Sequence, residues 1–128
     1  MAVARRFTEL DCWQLANDLK LKIYAVSERP AFKRDRDYYE QIRDAAASGP
    51  RNIAEGFGRR TDADFARFLD VARASLTECQ NHLQDGVDRG YLRQPECDDL
   101  LVLAKRSCGA VAGLQRHLRR SKPRFNGR

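Results

Sequence analysis

Residues 61–87 read TDADFARFLDVARASLTECQNHLQDGV, and this stretch decides the fold class. Thr61 with Asp64 three residues later is a helix-capping signature, a hydroxyl that accepts an amide hydrogen and a carboxylate that reaches back. Behind it, Phe65, Phe68, Leu69, Ala72, Leu76, Cys79, Leu83 and Val87 recur at spacings of three and four. At 3.6 residues per turn that spacing puts them on one face of a long α-helix. Gly90 supplies the left-handed residue that ends such a helix, and Pro95 sits where the first position of the next one belongs.

Working outward, Leu100, Leu103, Ala104, Val111, Leu114 and Leu118 form the buried stripe of a C-terminal helix. The last eight residues, SKPRFNGR, are polar, basic and unpatterned, which predicts a flexible tail at 121–128 after a domain at 1–120. Upstream, a helix from about Asp35 to Glu55 ends at the Gly56 and Gly58 pair. Its middle holds Ser48-Gly49-Pro50, a proline without an amide donor behind a glycine. Asn52-Ile53-Ala54-Glu55 can then act as a fresh capping box, so either one helix kinks here or two short ones meet. A basic loop, Arg29 to Arg36, precedes it. The first helix is expected to start near Thr8 as cap, with Asp11 reaching back and Phe7 stapled on Cys12. It gathers Cys12, Leu15, Ala16, Leu19, Ile23 and Val26 on one side and stops before Pro30. No segment alternates with period two. Four helices on short connections bury four apolar stripes best as an all-α, up-down-up-down four-helix bundle.

With 128 residues the chain suits one domain. No apolar run approaches the ~20 residues of a membrane span, and the amino end lacks the apolar core of a secretory signal, so a cytoplasmic protein without a membrane partner is expected. Cys12, Cys79, Cys97 and Cys108 contain no C-x-x-C pair, and the two histidines, His82 and His117, lie far apart. Core thiols in a reducing compartment are therefore expected, with no metal and no cofactor. Nothing matches a phosphate-binding loop, a dinucleotide fingerprint or a hydrolase elbow. Gly56-Phe57-Gly58 reads as a helix terminus and turn, and Glu55 has no partner nearby in sequence for acid–base work. No catalytic residue is expected.

Charge is more informative. Lys plus Arg number 24 against 18 Asp plus Glu, a net +6, and arginine strongly outnumbers lysine. Arginine's planar fork suits phosphate. On a C-terminal helix, Arg116, Arg119 and Arg120 fall within about 60° of Lys105, opposite the leucine stripe. Lys122 and Arg124 extend this cationic face into the tail, and Arg59 and Arg60 form a second cluster at the turn between the 35–55 helix and the helix that begins at Thr61. Aromatic motifs that stack on unpaired bases are absent, so sequence-nonspecific contact with the phosphate backbone of RNA or DNA is the expected mode. Leu21 opposes the core of helix 1, and Leu101 and Val102 lie on the cationic side of the last helix. These residues are candidates for an interface with a second subunit or a partner. The competing reading is a helical protein–protein scaffold that uses the same three residues and whose charge serves only solubility.

FTELDCWQLANDLKLKIY at 7–24, Gln41-Ile42-Arg43, SGPRNIAEG at 48–56, FARFLDVA at 65–72 and Gly90-Tyr91-Leu92 together resemble the four-helix-bundle proteins found within bacterial ribosomal-RNA intervening sequences. Within that family, the length and arginine content are most similar to the accessory proteins of diversity-generating retroelements. The resemblance implies a homopentameric barrel of bundles with a positive surface, in the cytoplasm of a bacterial host. It further implies binding to a reverse transcriptase, to RNA and to cDNA, in support of mutagenic copying of template RNA. It also implies a structural role for Pro50, Asn52, Glu55 and Gly56, with Asn52 and Glu55 satisfying groups freed by the proline. Where relatives carry a large aliphatic residue between the serine and the proline, this chain has Gly49.

Overall fold

The computed structural model describes residues 4–120, a span that holds a 3₁₀ turn at Phe7–Glu9, α1 (Asp11–Ser27), α2 (Pro30–Arg34), α3 (Arg36–Phe57), α4 (Asp62–Asp88) and α5 (Gln94–Arg120). The tail at 121–128 lies outside the described residues. The four long helices form the expected bundle, each packed on two neighbours in the ring α1, α3, α4, α5 and back to α1. Antiparallel order is visible in the register. As α3 advances from Tyr38 through Ser48 to Gly56, its partners on α4 retreat from His82 through Ser75 to Phe65.

The caps of α4 form as its flanking residues dictate. Thr61 Oγ1 accepts from the Asp64 amide at 3.1 Å. At the other end Gly90, with φ +81°, closes a Schellman motif: Gly90 N donates to Val87 O at 3.0 Å and Tyr91 N to Gly86 O at 2.8 Å. Leu69, Leu76 and Leu83 are fully buried, each worth about 1.5–3 kcal/mol of transfer free energy. Pro95 occupies the second position of α5 instead of the first. Glu96 then stands three residues past Arg93 and accepts its amide at 3.0 Å, which caps the helix from the acidic side.

The first helix departs from expectation. Glu9 accepts from the amides of Arg5 and Arg6, both at 3.0 Å, which winds Phe7–Glu9 into a 3₁₀ turn. Extended Leu10 interrupts the chain, so α1 starts at Asp11 and Thr8 caps nothing. Phe7 packs edge-on against Trp13, with centroids 5.4 Å apart, in place of Cys12. The basic loop is also corrected. Pro30 opens the short helix α2, which drives Phe32 into full burial against Tyr38 and Tyr91, at 5.0 and 5.6 Å between centroids.

Between the alternatives at Pro50, the chain takes a single helix that runs through the proline to Phe57. Asn52 is no cap. Its Nδ2 donates to Ser48 O at 2.8 Å and Ser48 Oγ at 2.9 Å. Ser75 Oγ spends its only hydrogen on Val71 O, at 3.1 Å, so in the 2.7 Å contact between the two hydroxyls Ser48 must be the donor. A one-way relay thus runs from Asn52 through Ser48 and Ser75 to the α4 backbone. Glu55 is exposed and pairs with Arg59 at 3.3 Å, so it satisfies nothing freed by the proline. Gly56 is structural in the strict sense, since a Cβ there would lie 2.8 Å from Phe65 Cδ1 and Phe68 Cβ. At Gly49, Leu76 takes the room that a larger side chain would need, 3.3 Å from where a Cβ would sit.

Where α1 ends and α3 begins, cations are matched to acids. Arg29 forks onto the Glu96 carboxylate, with Nη1 3.0 Å from Oε1 and Nη2 on Oε2. Arg89 bridges Asp35 at 2.8 Å and Asp85 at 3.0 Å, and Tyr91 OH donates to Asp35 at 2.8 Å. Arg43 lies between the rings of Tyr24 and Tyr39, 4.2 and 4.9 Å from their centroids, and donates to Ser27 Oγ at 2.8 Å.

Two outcomes are expected. Gly56→Ala forces α3 off α4, and overpacking exceeds the gain in helix propensity, for a net loss of about 1–2 kcal/mol readable in urea unfolding. The Arg29 fork and the Arg93 amide hold the Glu96 carboxyl at about 2, against 4.5 for a free side chain. The unfolded chain protonates it first, so this stabilisation is complete above about pH 4.5 and drains away as pH falls toward 2. Glu96→Gln removes that part of the acid slope in thermal melts, worth at most about 1 kcal/mol at a partly exposed, screened site.

Candidate nucleic-acid interface

An up-down bundle sends alternate connections to opposite ends. The turn from α3 to α4, with Arg59 and Arg60, therefore lies at the same end as the last turns of α5, with Arg116, Arg119 and Arg120. A buried amide fixes the alignment. Gln115 Nε2 donates to Asp70 Oδ1 at 2.7 Å and to Ala66 O at 3.3 Å, while its Oε1 accepts from Arg73 Nη1 at 3.1 Å. All its main hydrogen-bonding capacity is used within 6% exposure, which holds the end of α5 level with the first turns of α4. Sequence reading missed Gln115, since a glutamine beside arginines at a helix end looks like solvated surface.

The cations of this end differ from those of the other in how they are matched. Arg116, Arg119, Arg120 and Lys105 are exposed and take part in none of the ion pairs among the described residues. No acid occurs in the chain after Asp99. Lys105 stands eleven residues before Arg116, about 17 Å along the helix, so the set forms a stripe that broadens at the tip. Arg119 and Arg120 also face the negative pole of the α5 dipole, which stabilises the helix without neutralising the charge outward. Arg59 is exposed but engaged, paired with Glu55 at 3.3 Å and stacked on Phe68 at 4.6 Å. Arg60 lies beside it, exposed. Arg29, Arg43, Arg73 and Arg89 belong to the fold. Lys122 and Arg124 lie outside the described residues.

The apolar candidates separate. Leu21 and Val102 stay 54% and 58% exposed, and Val71, which the sequence reading passed over, joins them at 44%. Leu101 is corrected: it is half-buried and packs on the core, because α5 turns that side toward its neighbours. Cys12, Cys79 and Cys97 are buried and Cys108 half-buried, all as free thiols. Burial pushes the Cys12 thiol up to about 11 and that of Cys79 to about 12, out of nucleophilic range. Among the described residues no three His, Cys, Asp or Glu side chains meet as a metal site requires, and no helix is long and apolar enough to cross a membrane.

Chemically, exposed guanidinium groups without local acids can hold phosphates by paired N–H donation and by release of counterions. Residues 8–113 match the family model described as 23S rRNA-intervening sequence protein. No curated protein matches the chain significantly.

Proposed function

The chain belongs to the 23S rRNA-intervening sequence protein family, and from that membership we propose that it is a non-catalytic accessory protein of a diversity-generating retroelement, a self-assembling basic module that holds RNA and cDNA and docks a reverse transcriptase. The observation that carries the nucleic-acid part is the acid-free stripe of Lys105, Arg116, Arg119 and Arg120, exposed and in none of the ion pairs among the described residues. Arg59 and Arg60 lie at the same end, and Lys122 and Arg124 follow in the sequence, outside the described residues. Polymerisation and its metal chemistry belong to the reverse transcriptase, while this protein tethers template and product. The retroelement branch is supported by the likeness of length and arginine content alone. Exposed Leu21, Val71 and Val102 support self-assembly, for which the family resemblance suggests a pentamer; it would repeat the stripe around one axis and multiply weak phosphate contacts. The same apolar residues favour a second reading, a protein–protein scaffold with no nucleic-acid role.

Titration of labelled RNA across a salt series separates the two. Affinity falls steeply with salt, and replacing Arg116, Arg119 and Arg120 by glutamine lowers the log–log slope by about 2, from ~0.7 per phosphate contact on single strands. A parent slope near zero would leave the scaffold. Light scattering at micromolar concentration is expected to give a pentamer, and Leu21→Glu with Val102→Glu a smaller species.

A further inference from the structure

The basic end carries a feature that charge alone does not use. Where the 3₁₀ turn folds back along α3, Phe7, Trp13 and Pro50 line an open cleft of about 300 Å³, with Lys20 and Arg51 on its rim. This volume lies at the lower end of the range that small ligands occupy. Pro50 brings no amide hydrogen to the wall, so that side offers hydrocarbon. The rings of Phe7 and Trp13 meet at 66° and 5.4 Å, edge to face, so a flat ligand can lie parallel to one ring and meet the other at its edge. Phe7 is 36% exposed for its size, an aromatic ring left at the surface by a turn that two arginine amides and Glu9 hold in place. Arg51 is exposed and enters no ion pair among the described residues. It stands eight residues before Arg59, about 12 Å along α3, so the cleft opens beside the cationic end.

Aromatic walls with a cationic rim and no acid select a ligand that is planar and apolar on its faces and anionic at its edge. We propose that this cleft takes the base of an unpaired nucleotide, stacked on the exposed ring of Phe7 with Trp13 at its edge and its phosphate on Arg51 or Lys20. The assignment rests on the nucleic-acid reading above and deepens it: the stripe holds backbone of any kind, and the cleft adds preference for single strands. The sequence reading found no stacking motif because Phe7 and Trp13 are brought to Pro50 only by the fold.

Trp13 is the only tryptophan, so its emission reports on the cleft directly. The full chain is titrated with a short oligouridylate, an RNA duplex of equal length and inorganic polyphosphate at the same salt. The oligouridylate is expected to quench Trp13 and to bind about ten-fold tighter than the duplex, with polyphosphate binding but leaving the emission unmoved. Phe7→Ala and Arg51→Gln, both at exposed positions, each weaken oligouridylate binding about ten-fold, consistent with the cost of losing one base–aromatic stack or one phosphate contact. Duplex binding stays within two-fold of the parent in Phe7→Ala. Equal affinity for strand and duplex with unmoved emission overturns the cleft while the phosphate stripe stands. Quenching by polyphosphate as strong as by oligouridylate overturns it likewise. Emission that shifts with protein concentration alone assigns the cleft to a second copy of the chain and overturns it. Failure to bind any of the three removes both readings together.

Discussion

α3 and α4 approach each other as closely as they do because the positions between them are filled by glycine, serine and alanine-sized groups. Gly56 lies under Phe65 and Phe68, and Gly49 under Leu76. Between these two points the Asn52, Ser48 and Ser75 relay supplies a polar tie in a place where Pro50 has removed a backbone donor. Every other feature hangs on this seam. It sets the position of the α3–α4 turn, and with it Arg59 and Arg60; it brings Pro50 against the turn that carries Phe7.

On this frame the arginines divide by what faces them. At one end carboxylates were already present on neighbouring helices, and Arg29, Arg43 and Arg89 are consumed in tying α2 and the helix ends together. At the other, Asp70 is taken by Gln115 and Asp64 by Arg67, while Arg116, Arg119 and Arg120 enter none of the ion pairs among the described residues. A net charge of +6 therefore understates the local field, because the matched pairs cancel at one pole and the excess sits at the other.

Three of the four long helices were legible from periodicity because each has an apolar stripe, α3 from the break signals around it, and the ends of α4 because Thr61 and Gly90 act within a few residues. The relation that periodicity cannot carry is contact between segments. Phe32 falls within the stretch read as a basic loop, and only the meeting of α2 with Tyr38 and Tyr91 explains its burial. Leu101 looked exposed because a helical wheel assumes one buried face, whereas α5 has two neighbours. Thr8 lost its capping role because Glu9 gathers the amides before it into a 3₁₀ turn and extended Leu10 moves the helix start to Asp11, an arrangement that local pattern does not reveal. Of the cationic face, the positions along α5 could be read from the chain; that Arg59 is held by Glu55 and that Gln115 anchors the tip required the fold.

The directed hydroxyl relay has a consequence for mechanics. Sliding α4 by one turn against α3 would strand the Ser48 hydroxyl hydrogen, whose acceptor Ser75 alone lies across the seam, and move Phe65 off the gap at Gly56. The bundle therefore behaves as a rod with a single axial setting, like a keyed shaft.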